Sequence, residues 1–290
     1  MSYRKSLIAF LLAASSLANA ADNDFTQATA AQLAAQLIGS STVTLSGVPV
    51  LSGPASAAST FSSLNAGTLP GPLPLTLGAG IHLTVGTATG DLTGDTNAGF
   101  GGGTNFQGDA DLQAIIDGSP SAGVVVTDTT SLSFDFTVPP GSTSVSMDFI
   151  FGSQENPTSD WDVAGIIVDG VNYAFMPNGS ILRVNAAAAI TAYISPAFPD
   201  WRSWTKKQKL TALLNPNLSV HTIKIAVANT EDNDVTTGIF VSNIAAGTAT
   251  QGGVGVPNGP QSIPTLSEWG MITLSSLLAL GSVVSLRRRQ

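Results

Sequence analysis

Leu132, Phe134, Phe136 and Val138 alternate with Ser133, Asp135 and Thr137, and this period of two limits what the middle of the chain can become. A helix would scatter those apolar side chains around its circumference, whereas a strand places them all on one face. Val145, Met147, Phe149 and Phe151 repeat the pattern around Ser146, Asp148 and Ile150. Ile223, Ile225 and Val227 repeat it among Thr222, Lys224 and Ala226, and Gly238 to Ile244 reads as a last strand. Turn chemistry links such strands. Asp169-Gly170, between Ile166-Ile167-Val168 and the run Val171 to Phe175, accepts the positive φ of a type I′ hairpin turn. Asn178-Gly179 marks a second turn, into Ile181 to Val184. The expectation is a mainly β fold, a jelly-roll-like β-sandwich with a few short helices.

The helices have their own signals. Thr29 and Gln32 form a capping box, after which Ala30, Leu33, Ala34, Leu37 and Ile38 share one face. Asp109 is placed to cap a short helix that carries Leu112, Ile115 and Ile116 and stops at Gly118. Between them lie Val43 to Leu51, a low-complexity Ser/Ala/Gly/Pro stretch reaching Gly80, a short strand at His82-Leu83-Thr84-Val85, and a polar loop from Gly90 to Gly108.

Both ends of the chain read as addresses rather than as fold. Arg4 and Lys5 precede an apolar run from Leu7 to Ala14, and Ala18-Asn19-Ala20 is a small-residue cleavage site, so residues 1–20 form a signal peptide for the export machinery and signal peptidase, cut after Ala20. At the other end no charge interrupts Trp269 to Leu286, about the length of a transmembrane helix, and Arg287, Arg288 and Arg289 follow as a cytoplasmic stop. Trp269 suits the outer membrane–water interface. Residues 21–246 are then one exported β domain, and 247–262 a Gly/Pro-rich stalk.

Composition describes the exported part. Between Ala21 and Ser262 there are six basic and 18 acidic residues, a formal charge of −12. A surface this acidic repels nucleic acid. The chain has no cysteine, so neither disulfides nor thiolate metal sites are available.

Three constellations carry candidate chemistry. Glu155, Asp160 and Asp162 lie on one predicted loop, and Glu231, Asp232 and Asp234 on another, each bordering a strand. Their convergence would suit Ca2+, which takes six to eight oxygen ligands; solvated turn acids are the plainer reading. Asp91, Asp95, Asn97, Asp109 and Asp111 make a weaker oxygen-rich set in and beside the Gly90–Gly108 loop. The third constellation is Asp200-Trp201-Arg202-Ser203-Trp204-Thr205-Lys206-Lys207-Gln208-Lys209. Trp201 and Trp204 beside these cations form a candidate platform for an extracellular polysaccharide. A helix after a Thr205/Gln208 capping box, with Leu210, Leu213 and Leu214 packed inward and the lysines in water, is the plainer reading. Enzyme motifs are missing: there is no G-x-S-x-G elbow, H-E-x-x-H pair or P-loop, and the two histidines, His82 and His221, both fall in predicted strands.

Two resemblances add to this reading. Ile263-Pro264-Thr265-Leu266-Ser267-Glu268-Trp269-Gly270, with the apolar run to Leu286 and the stop at Arg287, Arg288 and Arg289, resembles the IPTL-CTERM sorting signal of Gram-negative surface proteins, a relative of the PEP-CTERM tail. That resemblance implies an exosortase-like membrane sorting enzyme, transient inner-membrane anchoring, and final display on the outer cell surface or release. The stretch from Phe25 to Ile244 resembles the choice-of-anchor L domain. It does so through Gln32 to Gly39, Gly80 to Gly86, Gly108 to Leu112, Leu132 to Phe136, Phe149-Ile150-Phe151-Gly152-Ser153-Gln154-Glu155, Ile223 to Asn229 and Gly238-Ile239-Phe240-Val241. The family's Phe-Gly-Ser-Glu-Glu-Tyr pattern is altered, with Gln154 and Asn156 replacing an acid and an aromatic. This second resemblance implies surface exposure and no assigned enzyme activity.

Overall fold

The computed structural model describes residues 23–39, 41–89, 108–120, 123–155, 162–176, 178–184, 190–230 and 235–256. The first half runs β1 (Phe25–Gln27), α1 (Ala30–Ile38), β2 (Thr44–Ser52), β3 (Ala58–Phe61), β4 (Leu64–Leu69), β5 (Leu73–Leu77), β6 (Gly80–Thr84) and α2 (Ala110–Asp117). The second half adds β7 (Val126–Thr137), β8 (Ser144–Ser153), β9 (Val163–Val168), β10 (Val171–Asn172), β11 (Thr191–Ala192) and β12 (Ser203–Trp204). Then come β13 (Gln208–Leu213), β14 (His221–Thr230), β15 (Thr237–Gly247) and β16 (Gly253–Val254).

Among the described residues all strand pairings are antiparallel, and they build two large facing sheets and a separate two-stranded pair, β4-β5. Sheet A follows the order β1-β3-β6-β15-β8-β12-β11, with β13 also on β8 and β16 on β13; sheet B follows β10-β9-β14-β7-β2. The period-two residues explain the packing. Leu132, Phe134, Phe136, Ile223, Ile225 and Val227 of sheet B meet Val145, Met147, Phe149, Phe151, Ile239 and Val241 of sheet A in one buried core. Each such side chain contributes about 1.5–3 kcal/mol by leaving water. The expected sandwich is therefore present, closed at one side by α1, whose Leu33, Ala34 and Leu37 enter the same core.

Local signals held where they were strongest. Thr29 and Gln32 form the reciprocal capping box, and Asp109 caps α2 by accepting from Asp111 N at 2.9 Å and Leu112 N at 3.1 Å. The same carboxylate takes Lys224 Nζ at 2.9 Å, and Asp111 also pairs with that lysine, so β14 clamps the helix. Burial lowers the affinity of Lys224 for its proton, but its bonds to Asp111 and Asp109 outweigh that and raise its pKa. Asp169 and Gly170 have φ of 50° and 80°, the left-handed pair that a type I′ turn requires.

Three expectations are corrected. The stretch up to Gly80 is not featureless: it supplies β3, β4 and β5, and Leu64, Ala66, Leu69, Leu75 and Leu77 are buried there. No helix follows Thr205. Residues 208–213 form strand β13, because pairing with β8 satisfies its backbone along six positions, and the Thr205 hydroxyl accepts from Phe151 N at 2.9 Å instead of capping. The first part of the stalk is docked: β16 pairs with Leu210 and Thr211, Gly255 N donates to Lys209 O at 2.7 Å, and Thr211 Oγ1 donates to Val256 O at 2.6 Å. The signal peptide with Ala18 and Ala20, residues 90–107, and everything from 257 onward lie outside the described residues. That includes the tail motif, the apolar run and the arginine stop. Among the described residues no helix is long and apolar enough to cross a membrane.

Candidate functional site

Gly152 on β8 and Gly238 on β15 are directly paired, and neither carries a side chain on the outer face of sheet A. The result is a trough. A Cβ on Gly152 would come within 2.7 Å of the Trp204 ring, and one on Gly238 within 2.9 Å of Trp201. The two indoles lie in this trough, stacked at 5.2 Å between ring centres, with Phe198 and Phe240 against them. Trp201 is 1% exposed and Trp204 0%. The expected sugar platform is therefore not on the surface: these rings are core, and their faces are spent on Phe198, Phe240 and the glycine backbone. His82 belongs to the same layer, stacked on Phe240 at 4.2 Å and fully buried. Burial brings its pKa from 6.5 down to about 3. A weak interaction with the Ala88 backbone offsets only part of that, and neither ring nitrogen makes a well-formed hydrogen bond.

The lysines separate from the indoles. Strand β13 places Lys209 opposite Asp148 of β8, with Lys207 nearby. Lys207 Nζ lies 3.2 Å and Lys209 Nζ 3.5 Å from the Asp148 carboxylate, which also accepts from Asn243 Nδ2 at 3.1 Å. Lys206, Lys207, Gln208, Lys209 and Asp148 line a groove of about 410 Å3 together with Leu73 and Pro74. Two ammonium groups face one carboxylate, and Lys206 adds a third to the groove's lining, in a domain that is otherwise strongly acidic.

Of the acidic candidates, Asp160, Asp232 and Asp234 lie outside the described residues, as does Glu231. Asp162 is buried at the start of β9, where it accepts from Thr230 N at 3.2 Å and from the Thr237 hydroxyl. Glu155 sits just past β8 and donates its N–H to Ser153 Oγ at 2.9 Å. The strand ends at Ser153, Thr230 and Thr237 are thus neighbours, while the acids of the two loops lie outside the described residues apart from Glu155 and Asp162. Sequence reasoning missed Asp128 and Asn229, which are buried at the same end. Extending the Leu132–Phe136 alternation back to Asp128, and the Ile223–Val227 alternation on to Asn229, would have found both.

Comparison with known proteins now decides the family. Residues 20–245 match the Choice-of-anchor L domain, and residues 261–289 match the IPTL-CTERM motif. The chain belongs to the Choice-of-anchor L domain family. No curated protein and no solved structure matches it. A Choice-of-anchor L domain joined to an IPTL-CTERM motif marks a surface or exported protein sorted through its C-terminal signal, and neither family is an enzyme family. In this Choice-of-anchor L domain, the Phe151-Gly152-Ser153 stretch has a structural reason: Phe151 faces the inner core, Gly152 admits the indoles, and Ser153 bonds to Thr237 at 2.7 Å. Gln154, standing where the family pattern has an acid, accepts from Thr236 N at 3.1 Å, an acceptor role filled without a buried charge.

The remaining histidine is also placed. His221 Nδ1 is 2.8 Å from Asp169 Oδ2, and that carboxylate accepts from Asn215 N and Thr222 N at 2.9 and 3.0 Å. Asp169 thereby fastens the β9–β10 turn to the β13–β14 turn. His221 borders a cavity of about 630 Å3 rimmed by Val138, Pro139, Pro140, Leu214 and Pro216.

Proposed function

We propose that this chain is a non-enzymatic surface or matrix protein: its C-terminal tail carries it to the membrane, is removed by an exosortase-like enzyme, and leaves the β domain displayed or released. The pairing of a Choice-of-anchor L domain with an IPTL-CTERM motif in one chain carries this reading. The tail supplies the chemistry such processing needs: a short motif from Ile263 to Trp269, an apolar run, and the Arg287, Arg288 and Arg289 stop. Mass spectrometry of the exported protein tests it. A mature C-terminus within or before the Ile263–Trp269 motif is expected; export with Gln290 intact would contradict processing.

The lysine groove favours a second, compatible reading: the domain engages the acidic groups of an extracellular polysaccharide. Carboxylates or sulfates would exchange with Asp148 at Lys206, Lys207 and Lys209, and the Leu73–Pro74 edge would offer apolar contact to a sugar ring. Such binding is electrostatic and weakens with salt.

A further inference from the structure

At one end of the sandwich the inner layer changes from hydrocarbon to oxygen. Ala228 pairs with Val163 on one side and with Thr129 on the other, so the next residues, Asp162 and Asn229, stand side by side on β9 and β14; on β7 the register shifts by one residue before Val126 meets Thr230, and Asp128 lies in that bulge beside Asn229. By strand alternation, Asp128 follows Leu132 and Phe134, Asn229 follows Ile225 and Val227, and Asp162 follows Ala164 and Ile166, all toward the other sheet. Thr237 and Ser153 of sheet A meet them there: Thr237 donates to Asp162 and shares a 2.7 Å hydrogen bond with Ser153. All five side chains are buried.

Asn229 has no counterpart in this layer. It is 0% exposed, and neither Oδ1 nor Nδ2 of its amide has a hydrogen-bond partner; the Thr230 hydroxyl beside it has none either. Buried amides are nearly always satisfied, because an orphaned one has given up its water without replacement. Here the orphan stands between two buried carboxylates, and adjacent strands about 4.8 Å apart put those two acids about 10 Å apart at their Cα atoms. One cation between them would be within reach of both carboxylates and of the amide oxygen.

We propose that this polar end is a calcium site, with Asp128 and Asp162 as carboxylate ligands and Asn229 Oδ1 as the neutral ligand between them. The donor set is all oxygen, which suits Ca2+ and disfavours zinc or copper, whose sites use nitrogen and sulfur. Among the described residues no three acidic or histidine side chains form a metal cage. The cation therefore depends on the amide, backbone carbonyls and water for the rest of its six to eight oxygens. The site sits apart from the lysine groove, and its success or failure leaves the polysaccharide reading untouched.

The test uses the full-length protein in detergent, with Ca2+ alone as the probe. Bound calcium is counted by equilibrium dialysis, and the melting temperature is followed as CaCl2 is added after chelation. One Ca2+ per chain is expected, with a rise of about 5–10 °C once calcium reaches ~100 times its Kd. Asn229→Leu separates a ligand from a mere orphan. In chelator it should melt no lower than the native chain, because an unsatisfied amide has gone, but it should lose most of the calcium-dependent rise. Asp128→Asn provides the second loss. Absence of binding at about 10 mM Ca2+, above the weakest extracellular sites, would overturn the proposal. So would full calcium response in both variants, or an equal response to Mg2+.

Discussion

Trp204 and Lys207 are three residues apart in sequence, yet one is fully buried and the other is among the more exposed side chains of the domain. In the sequence the two indoles and three lysines look like one binding surface. In the fold they are separated by what each meets across the sheet. The indoles face Gly152 and Gly238, which leave room for them, whereas Lys209 faces Asp148 on an edge open to water. The difference assigns stability to the aromatic layer and, on the polysaccharide reading proposed above, leaves recognition to the lysine groove.

The largest way to break that assignment is Trp204→Ala. Removing a fully buried indole should cost about 3–5 kcal/mol, read as a drop in the urea midpoint at unchanged slope. Little change would put the indole outside the core. Trp204→Phe should cost clearly less, since it keeps much of the packing and deletes a buried indole N–H that has no partner.

A smaller effect concerns His82 in the same aromatic layer. Its folded-state pKa is about 3 against 6.5 when unfolded, so the folded chain resists the proton that the unfolded chain accepts. Stability should therefore fall as pH drops through 6.5 and keep falling until about pH 3, where the penalty is complete. Between pH 7 and pH 5 the contribution is about 2 kcal/mol. His82→Leu should lose that part of the pH dependence while keeping whatever the carboxylates contribute. Identical slopes for the two proteins would mean His82 is hydrated or paired.

The sequence disclosed the parts governed by near neighbours. Both helix caps, the Asp169-Gly170 turn and the alternating strands β7, β8 and β14 follow from residues within a few positions of one another. What it concealed depends on distant partners. Residues 208–213 carry local helix signals, but β8 offers them a strand's hydrogen bonds from about sixty residues away. Strands β3 and β4 mix their apolar residues with Ser, Thr, Ala, Asn and Gly, and β5 alternates Leu73, Leu75 and Leu77 over only five residues beside prolines, so none announces itself; Phe61, Leu64, Ala66, Leu69, Leu75 and Leu77 are buried by packing with Phe198, Phe240 and Trp204. The glycine trough joins positions 152 and 238, and the oxygen layer joins 128, 162 and 229, pairings that only the register reveals. The acidic loops were visible as composition, but the buried amide between two acids was not.

The smallest change in stability carries the most direct test of the division of labour. Lys206→Ala, Lys207→Ala and Lys209→Ala together should alter stability far less than Trp204→Ala, because the Lys207 and Lys209 ends of the two ion pairs with Asp148 are exposed. Binding of a polyuronate, measured on the full-length protein at low and at physiological salt, should weaken about tenfold in that triple variant, and it should remain unchanged in Trp204→Phe. Loss of binding in Trp204→Phe, with the triple lysine variant binding as the native chain does, would contradict the account.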